Sequence, residues 1–147
     1  MQEHPDYYYQ QSAVIPCRQE GGELKILLIT SRKKRRWVIP KGIIEPNLIP
    51  PDSAAKEALE EAGVQGKVSQ SPIGTYKYDK WGGTCDVQVF VMEVEKVLDD
   101  WMESFRDRAW MGLEEAMERM EEKKLRIIMN RLPDFLAGRD QTTSDQE

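Results

Sequence analysis

The residues of this chain best suited to chemistry are three glutamates at helical spacing, Glu57, Glu60 and Glu61. With about 100° of rotation per residue, all three lie on one face of a helix. The opposite face is apolar and consists of Ala55, Ala58, Leu59 and Ala62. Carboxylates on one face repel one another unless a cation lies among them, and Mg²⁺ or Mn²⁺ takes such oxygen ligands. The spacing predicts a metal site, although a solvated acidic helix has the same pattern.

The residues around the glutamates predict a strand, a loop and a short capped helix. The apolar segment 37–39 is closed by Pro-Lys-Gly at 40–42. Asp52 and Ser53, which follow two prolines, are candidate helix caps, and Gly63 is expected to end the helix in a left-handed conformation. Loops at such strand and helix ends commonly carry catalytic residues.

A second group of interest is the basic run RKKRR from Arg32 to Arg36. In a chain with a net charge of −5, it creates a local positive potential that attracts polyphosphate. A solvated hairpin tip gives the same pattern. The candidate substrate contacts in this part of the chain are Arg32, Lys33, Lys34, Arg36 and Lys41.

Hydrophobic periodicity and turn residues predict an α/β chain. The predicted strands are 12–18, 24–31, 37–40, 66–71, 73–78, 84–97 and 108–112. The predicted later helices are 113–120 and 124–136, and Pro133 is expected to kink or end the second one. Residues 12–137 are predicted to form one domain between an N-terminal tail, 1–11, and a disordered C-terminal tail, 138–147.

Composition excludes several classes of protein. A chain of 147 residues makes one domain, and 39% hydrophobic with 32% charged residues is typical of a soluble, cytoplasmic globular protein. The start lacks a signal-peptide pattern, and no apolar run reaches the ~20 residues that cross a membrane. The negative net charge argues against stable nucleic-acid binding. A single histidine, His4, excludes catalysis by several histidines, so carboxylates must carry the chemistry.

The segment GIIEPNLIPPDSAAKEALEEAGV, residues 42–64, resembles the Nudix box: Gly, five residues, Glu, seven residues, then Arg-Glu-hydrophobic-any-Glu-Glu-any-Gly-hydrophobic. The matching positions, without insertion or deletion, are Gly42, Glu57, Ala58, Glu60, Glu61, Gly63 and Val64. Leu48 stands at the first Glu position and Lys56 at the Arg position. In the family, the Glu and the Arg at these two positions commonly form a salt bridge between the loop and the helix. The resemblance therefore implies that this chain has lost that bridge and has kept the metal-binding glutamates.

The resemblance implies the Nudix fold, an α/β/α sandwich with a mixed central sheet and the box helix packed on it. It implies that Mg²⁺ or Mn²⁺ is held by Glu60, Glu61 and the Gly42 carbonyl, with Glu57 as a further ligand or as the base. The family often has another Glu outside the box as base or ligand. The candidates here are Glu103, Glu93 and Glu95.

The runs LLITSRKKRRWVIPKG, VLDDW and Arg108-Ala109-Trp110 followed by LEEA are similar to the diphosphoinositol polyphosphate and diadenosine polyphosphate phosphohydrolase branch. Arg18 and Arg108 fall at positions that resemble phosphate-contacting sites of that branch. The similarity implies hydrolysis, with water as nucleophile, of a phosphoanhydride bond in a nucleoside polyphosphate, a dinucleoside polyphosphate or an inositol pyrophosphate. The expected partner is a small phosphorylated molecule, with no membrane, and the chain is expected to be a monomer or homodimer.

Two alternatives stay open at this point. One is a pyrophosphohydrolase that acts on nucleoside triphosphates, nucleotide sugars or a capped RNA 5′ end. The other is a Nudix-fold binding or regulatory module without catalysis. The three retained glutamates favour an enzyme, whereas Leu48 and Lys56 favour the module.

Overall fold

The computed structural model describes the backbone of residues 1–145 and the side chains of residues 1–138. Its strands are β1 (Gln10–Glu20), β2 (Glu23–Thr30), β3 (Trp37–Val38), β4 (Lys41–Ile43), β5 (Val64–Val68), β6 (Gly74–Lys80), β7 (Gly83–Val97) and β8 (Arg108–Gly112). Its helices are α1 (Pro50–Glu57), which continues as a π-helical turn (Ala58–Ala62), α2 (Leu113–Arg119), α3 (Lys123–Met129) and α4 (Leu132–Asp145). Among these residues, no helix is long and apolar enough to cross a membrane.

The strands form one mixed sheet. Its central path is β3-β2-β1-β7-β5, with β4 paired to β1, β6 to β7 and β8 to β2. β1 and β7 are parallel, and the other pairs are antiparallel. The valine alternation that predicted a strand at 84–97 corresponds to β7, in which Val87, Val89 and Val91 are fully buried because this strand lies in the middle of the sheet.

Helices cover both faces of the sheet. On one face, α2 and α3 contribute Ala116, Leu125 and Ile128 to a core that contains the valines of β7. On the other face, α1 and its π-helical turn pack against Val14 and Phe90. This arrangement confirms the predicted α/β/α sandwich with the box helix on the sheet.

The acidic helix packs through a different row of residues from the predicted one. Its fully buried row is Ala54, Ala58 and Ala62, whereas Leu59, which was expected on that face, is only half-buried. Three methyl groups at a spacing of four residues let the helix axis approach the sheet closely. The glutamates therefore border a tight interface, and Glu57 is itself buried.

The acidic helix starts differently from the prediction, whereas it ends at Gly63 as predicted. The helix begins at Pro50, the capping position is Ile49, and neither Asp52 nor Ser53 caps it. Proline fits the first turn because its missing N–H would have no helical partner there. Gly63 ends the π-helical turn at φ 67° and ψ 36°, the left-handed conformation that was expected.

Both terminal segments contain secondary structure or packed side chains. Tyr9 is buried, and its hydroxyl donates to the Trp81 carbonyl oxygen at 2.5 Å, so the N-terminal segment packs against the β6–β7 turn. The predicted helix 124–136 is split into α3 and α4, with Pro133 in the first turn of α4. Helix α4 extends through most of the segment predicted to be disordered, and residues 146–147 lie outside the described residues. The domain limits stay a prediction.

Candidate active site

Strand β4 places Gly42 against the acidic helix. Gly42 pairs with Ser12 of β1, and the Ser12 hydroxyl donates to the Pro50 carbonyl oxygen at 2.9 Å, which joins β1 to the start of α1. A methyl group on Gly42 would lie 2.5 and 2.6 Å from the two carboxylate oxygens of Glu57. Glycine therefore makes room for a carboxylate directly against the main chain.

Glu57 and Glu61 form a carboxyl pair beneath this loop. Glu57 is 8% exposed and shares a side-chain hydrogen bond with Glu61. Burial, followed by the charge of Glu57, raises the pKa of Glu61 to about 8, against the lowering effects of Arg106 and of the Lys41 N–H, which donates to Glu61 Oε1 at 3.2 Å. Burial is also the main cause that raises the pKa of Glu57. Two carboxyl groups held together in this way favour a bound proton or cation.

Glu60 is paired with a lysine of its own helix. Lys56 Nζ lies 3.0 Å from Glu60 Oε2 and 3.9 Å from Glu57 Oε2. The hydrogen bond to Glu60 is the first cause of a raised Lys56 pKa. Because Leu48 occupies the loop position where the box pattern has Glu, it offers Lys56 no carboxylate.

Glu103 lies at the edge of the same group of carboxylates. Its N–H donates to the Glu60 carbonyl oxygen at 3.0 Å. Its charge is among the causes that raise the pKa of both Glu57 and Glu61. Arg106 holds Glu103 Oε1 through two nitrogen atoms, at 2.9 and 3.1 Å.

The other two acidic candidates outside the box lie on β7. Glu93 pairs in register with Lys67 of β5. Glu95 is exposed, and its carboxylate lies 3.8 Å from Lys67 Nζ. The structure thus brings Glu103 to the box glutamates and places Glu93 and Glu95 along the β5–β7 pair.

Arg106 is a residue of the site that the sequence analysis missed. It is 8% exposed, and besides Glu103 it donates to the Thr30 carbonyl oxygen at 2.9 Å. Its charge lowers the pKa of Glu61. The available signal is the opposite charge three residues after Glu103, a spacing that often forms an ion pair.

The basic run forms the exposed connection between β2 and β3. Lys34 adopts a positive φ of 56° at this turn, and its Nζ lies 3.4 Å from Asp107. The guanidinium of Arg32 lies 3.8 Å from Glu103 Oε1. One end of the run therefore reaches the carboxylate group, while Lys33 is exposed at the turn.

Lys41 carries a positive charge beside Glu61. Burial, together with the charges of Lys80 and Arg36, lowers the Lys41 pKa to about 8. Its ammonium lies 4.0 Å from the centre of the Tyr78 ring. An anionic group would relieve the repulsion among these three cations. The sequence analysis missed Tyr78 and Lys80, because only the sheet brings β6 next to the loop after β3.

Arg108 is engaged with the end of the acidic helix. Its guanidinium donates to the carbonyl oxygens of Ala62 at 2.8 Å and Leu98 at 2.5 Å. It also lies 3.8 Å from the centre of the Trp101 ring. These contacts fasten the helix end to the loop that carries Glu103.

Arg18 is held by two neighbours on the sheet. Its guanidinium lies 3.9 Å from the centre of the Trp110 ring, and one terminal nitrogen lies 2.9 Å from Glu20. Its Nε is buried without a hydrogen-bond partner. Phosphate contacts from Arg18 and Arg108 stay a prediction.

The donor set of the site fits a hard divalent cation. Within the described residues, no three histidine, cysteine or acidic side chains already converge as they would around a metal ion. Three observations nevertheless fit a divalent cation. All the candidate donors are oxygen atoms, and Glu57 and Glu61 share a hydrogen bond. The Lys56 ammonium also lies between Glu57 and Glu60, which shows that a cation is favourable there.

Comparison with known proteins gives the same family over most of the chain. The NUDIX domain profile matches residues 8–132. The chain is 32% identical over 117 residues to mouse (Mus musculus) diphosphoinositol polyphosphate phosphohydrolase 3-alpha, which covers 78% of this chain and 70% of that protein. It is 36% identical over 118 residues to the chloroplastic Nudix hydrolase 21 of Arabidopsis thaliana, and the aligned region covers 76% of this chain and 59% of the relative.

A solved structure is similar in fold. The crystal structure of C. elegans Ap4A hydrolase matches with a TM-score of 0.73 over 87% of this chain and 98% of that chain, at 21% identity. This match and the domain profile confirm the predicted fold. The domain profile and the mouse relative confirm the prediction of a hydrolase. The profile spans the whole sheet, the acidic helix and α2 and α3, and the chain belongs to the NUDIX domain family.

Proposed function

We propose that this chain is a Mg²⁺- or Mn²⁺-dependent hydrolase whose substrate is a dinucleoside polyphosphate or an inositol pyrophosphate. The observation that carries the proposal is that the half-buried cation of Lys41 lies beside neighbouring carboxylates from Glu57, Glu60, Glu61 and Glu103. A highly charged phosphate chain needs both features, a metal site and a positive neighbour. The names of the mouse and C. elegans proteins support this substrate class.

Glu57, Glu60, Glu61 and the Gly42 carbonyl would hold the metal. When bound, the ion neutralises charge on the phosphoryl oxygens and lowers the pKa of a water ligand. The chain contributes the geometry: β4 fixes Gly42, and the alanine row fixes the helix that carries the glutamates.

Glu103 is proposed as an additional ligand or as the general base. Arg106 engages Oε1 alone through both nitrogen atoms, which orients the carboxylate and leaves Oε2 available to accept a proton. Catalytic carboxylates need such fixed positions within hydrogen-bond reach of the proton they accept.

The positive side of the site is proposed to bind the substrate phosphates. Lys41, with Arg36 and Lys80 near it, lies next to Glu61, and Arg32 reaches Glu103. The exposed Lys33 and Lys34 would add long-range attraction that salt screens. We further propose a cytoplasmic location, on the basis of the composition. A monomer or homodimer stays the expected oligomeric state.

A substrate panel tests the proposed function. Diadenosine polyphosphates, an inositol pyrophosphate, nucleoside triphosphates, a nucleotide sugar and a capped RNA are incubated with the protein, with Mg²⁺, with Mn²⁺ or with a chelator. We expect metal-dependent release of phosphate or nucleotide from the first two substrates, with the largest kcat/KM. Preference for a nucleotide sugar or a capped RNA would reject the substrate class, and no hydrolysis of any substrate would favour a binding module.

A further inference from the structure

Lys56 differs from the other cations of the site because it contacts the proposed metal ligands themselves. Its Nζ is within 3.0 Å of Glu60 Oε2 and 3.9 Å of Glu57 Oε2. The Lys56 side chain is 40% exposed, whereas the side chains of Glu57 and Glu60 are 11% and 23% exposed. A solvent-accessible ammonium next to two more buried carboxylates is placed to act as their counter-ion.

We infer that Lys56 is a built-in counter-cation which the divalent metal must displace, so that it weakens metal binding in this chain. This inference rests on the proposed function, because it takes Glu57 and Glu60 as metal ligands. An ammonium and a divalent ion repel each other across a few ångströms, and both seek the same carboxylate oxygens. The metal-free site is correspondingly stabilised by Lys56.

The departure at Leu48 explains why Lys56 has this position. The box pattern pairs the residue at position 56 with a loop Glu at position 48, which would draw the positive charge away from the ligands. Leu48 offers no such partner. The one loop carboxylate that attracts the ammonium is more distant, at Glu45, and is exposed. On displacement, Glu45 is the natural partner to which Lys56 moves.

Titration with Mn²⁺ alone, followed by calorimetry, tests the inference on the full chain. We expect Lys56→Met, which keeps a long unbranched side chain, to bind Mn²⁺ more tightly by on the order of tenfold. The metal-induced rise in Tm should also be larger than in wild type, because the metal-free site has lost its counter-ion. Lys67→Met is the matched control: it removes the same charge from an exposed lysine that pairs with Glu95 on another part of the sheet.

A second pair of variants first tests the inference in a chain that keeps Lys56. Leu48→Glu should tighten Mn²⁺ binding by giving Lys56 a loop partner, and Leu48→Gln should not. In the Lys56→Met background, Leu48→Glu should lose most of its effect. Equal tightening in both backgrounds would mean that the new carboxylate acts on the metal directly, which overturns the inference.

The outcomes separate the inference from the proposed function. If wild type binds Mn²⁺ and Glu60→Gln weakens that binding, the metal site stands. Unchanged or weaker Mn²⁺ binding by a folded Lys56→Met would then reject the role of Lys56 alone. If wild type shows no saturable Mn²⁺ binding, both the metal site and the inference fail.

Discussion

The glutamates of the box are not equivalent, because each has a different neighbour. Glu61 is hydrogen-bonded to Glu57 and to the Lys41 N–H, whereas Glu60 is paired with Lys56. In the metal-free chain, a proton stabilises the Glu57–Glu61 pair, and the Lys56 ammonium stabilises Glu60. Metal binding therefore competes with a proton at Glu57 and Glu61 and with Lys56 at Glu60.

The raised pKa of Glu61 predicts how the stability of the metal-free protein depends on pH. The pKa rises from an ordinary value of 4.5 to about 8, so between these values the folded state binds more protons than the unfolded state. The free energy of unfolding should therefore fall as pH increases through this window. Urea unfolding with a chelator at pH 5, 6, 7 and 8 measures it. Glu61→Gln should give a flatter dependence, and a wild-type curve equally flat would contradict the assignment.

The ligand role predicts the effect of removing single charges. Glu60→Gln and Glu61→Gln should each lower kcat by orders of magnitude, since each keeps the side-chain volume and removes an anionic ligand. Thermal unfolding should show that both variants are folded, because the acidic face loses self-repulsion. Glu118→Gln, an exposed carboxylate on α2, is the control and should retain wild-type turnover. If both folded site variants had wild-type kcat at limiting metal concentration, Glu60 and Glu61 would not be metal ligands.

At the scale of elements, the site is a junction between β4, the acidic helix and the loop before β8. The sheet holds Gly42 through β1, and the alanine row holds the helix against the other face of the core. Arg108 fastens the helix end, and the Glu103 N–H bonds to the Glu60 carbonyl oxygen. Each element is fixed by packing or by main-chain hydrogen bonds, so the backbone positions of the glutamates are fixed.

The close approach of Gly42 to Glu57 gives a prediction about this junction. Gly42→Ala should move the Glu57 carboxylate, because the added methyl group would lie 2.5 and 2.6 Å from its oxygens. The carboxylate is the end of a flexible side chain, so stability should change little while Mn²⁺ affinity and kcat fall. Gly138→Ala on α4, with open space around the new methyl group, should stabilise the protein by about 0.5–1 kcal/mol and leave kcat unchanged. Normal Mn²⁺ affinity in folded Gly42→Ala would show that the Glu57 position is not critical.

At the scale of the whole molecule, the distribution of charge matters more than its sum. The chain has a net charge of −5, yet the basic run lies on the connection from which Arg32 reaches Glu103. The half-buried Lys41 and its cationic neighbours Lys80 and Arg36 lie next to Glu61. A polyphosphate would meet positive potential on approach, although the protein as a whole is acidic.

This charge distribution predicts a substrate-dependent effect. Changing Lys33, Lys34 and Arg35 together to Ser should raise KM far more for a dinucleoside polyphosphate or an inositol pyrophosphate than for a nucleotide sugar, because attraction grows with substrate charge. The salt dependence of kcat/KM should flatten, while kcat should change less. A control that changes Lys67, Lys96 and Arg119, all exposed, to Ser alters net charge equally and should leave KM near wild type. If both triple variants changed KM equally, the basic run would be only a solvated turn without a role in substrate binding.

The sequence determined the features that depend on local spacing. The box pattern identified the family, and the resemblance to that family implied the fold. Alternating valines located β7, and Gly63 located the helix end. These properties follow from short-range backbone and side-chain geometry.

Only the tertiary structure decided which distant residues join the site. Glu103 was one of three acidic candidates, and Arg106, Lys80 and Tyr78 were not candidates at all. Local spacing does not show that these residues reach the box, because long-range strand pairing and loop packing bring them there. The raised pKa of Glu61 likewise depends on burial, which the acidic pattern of the helix does not reveal.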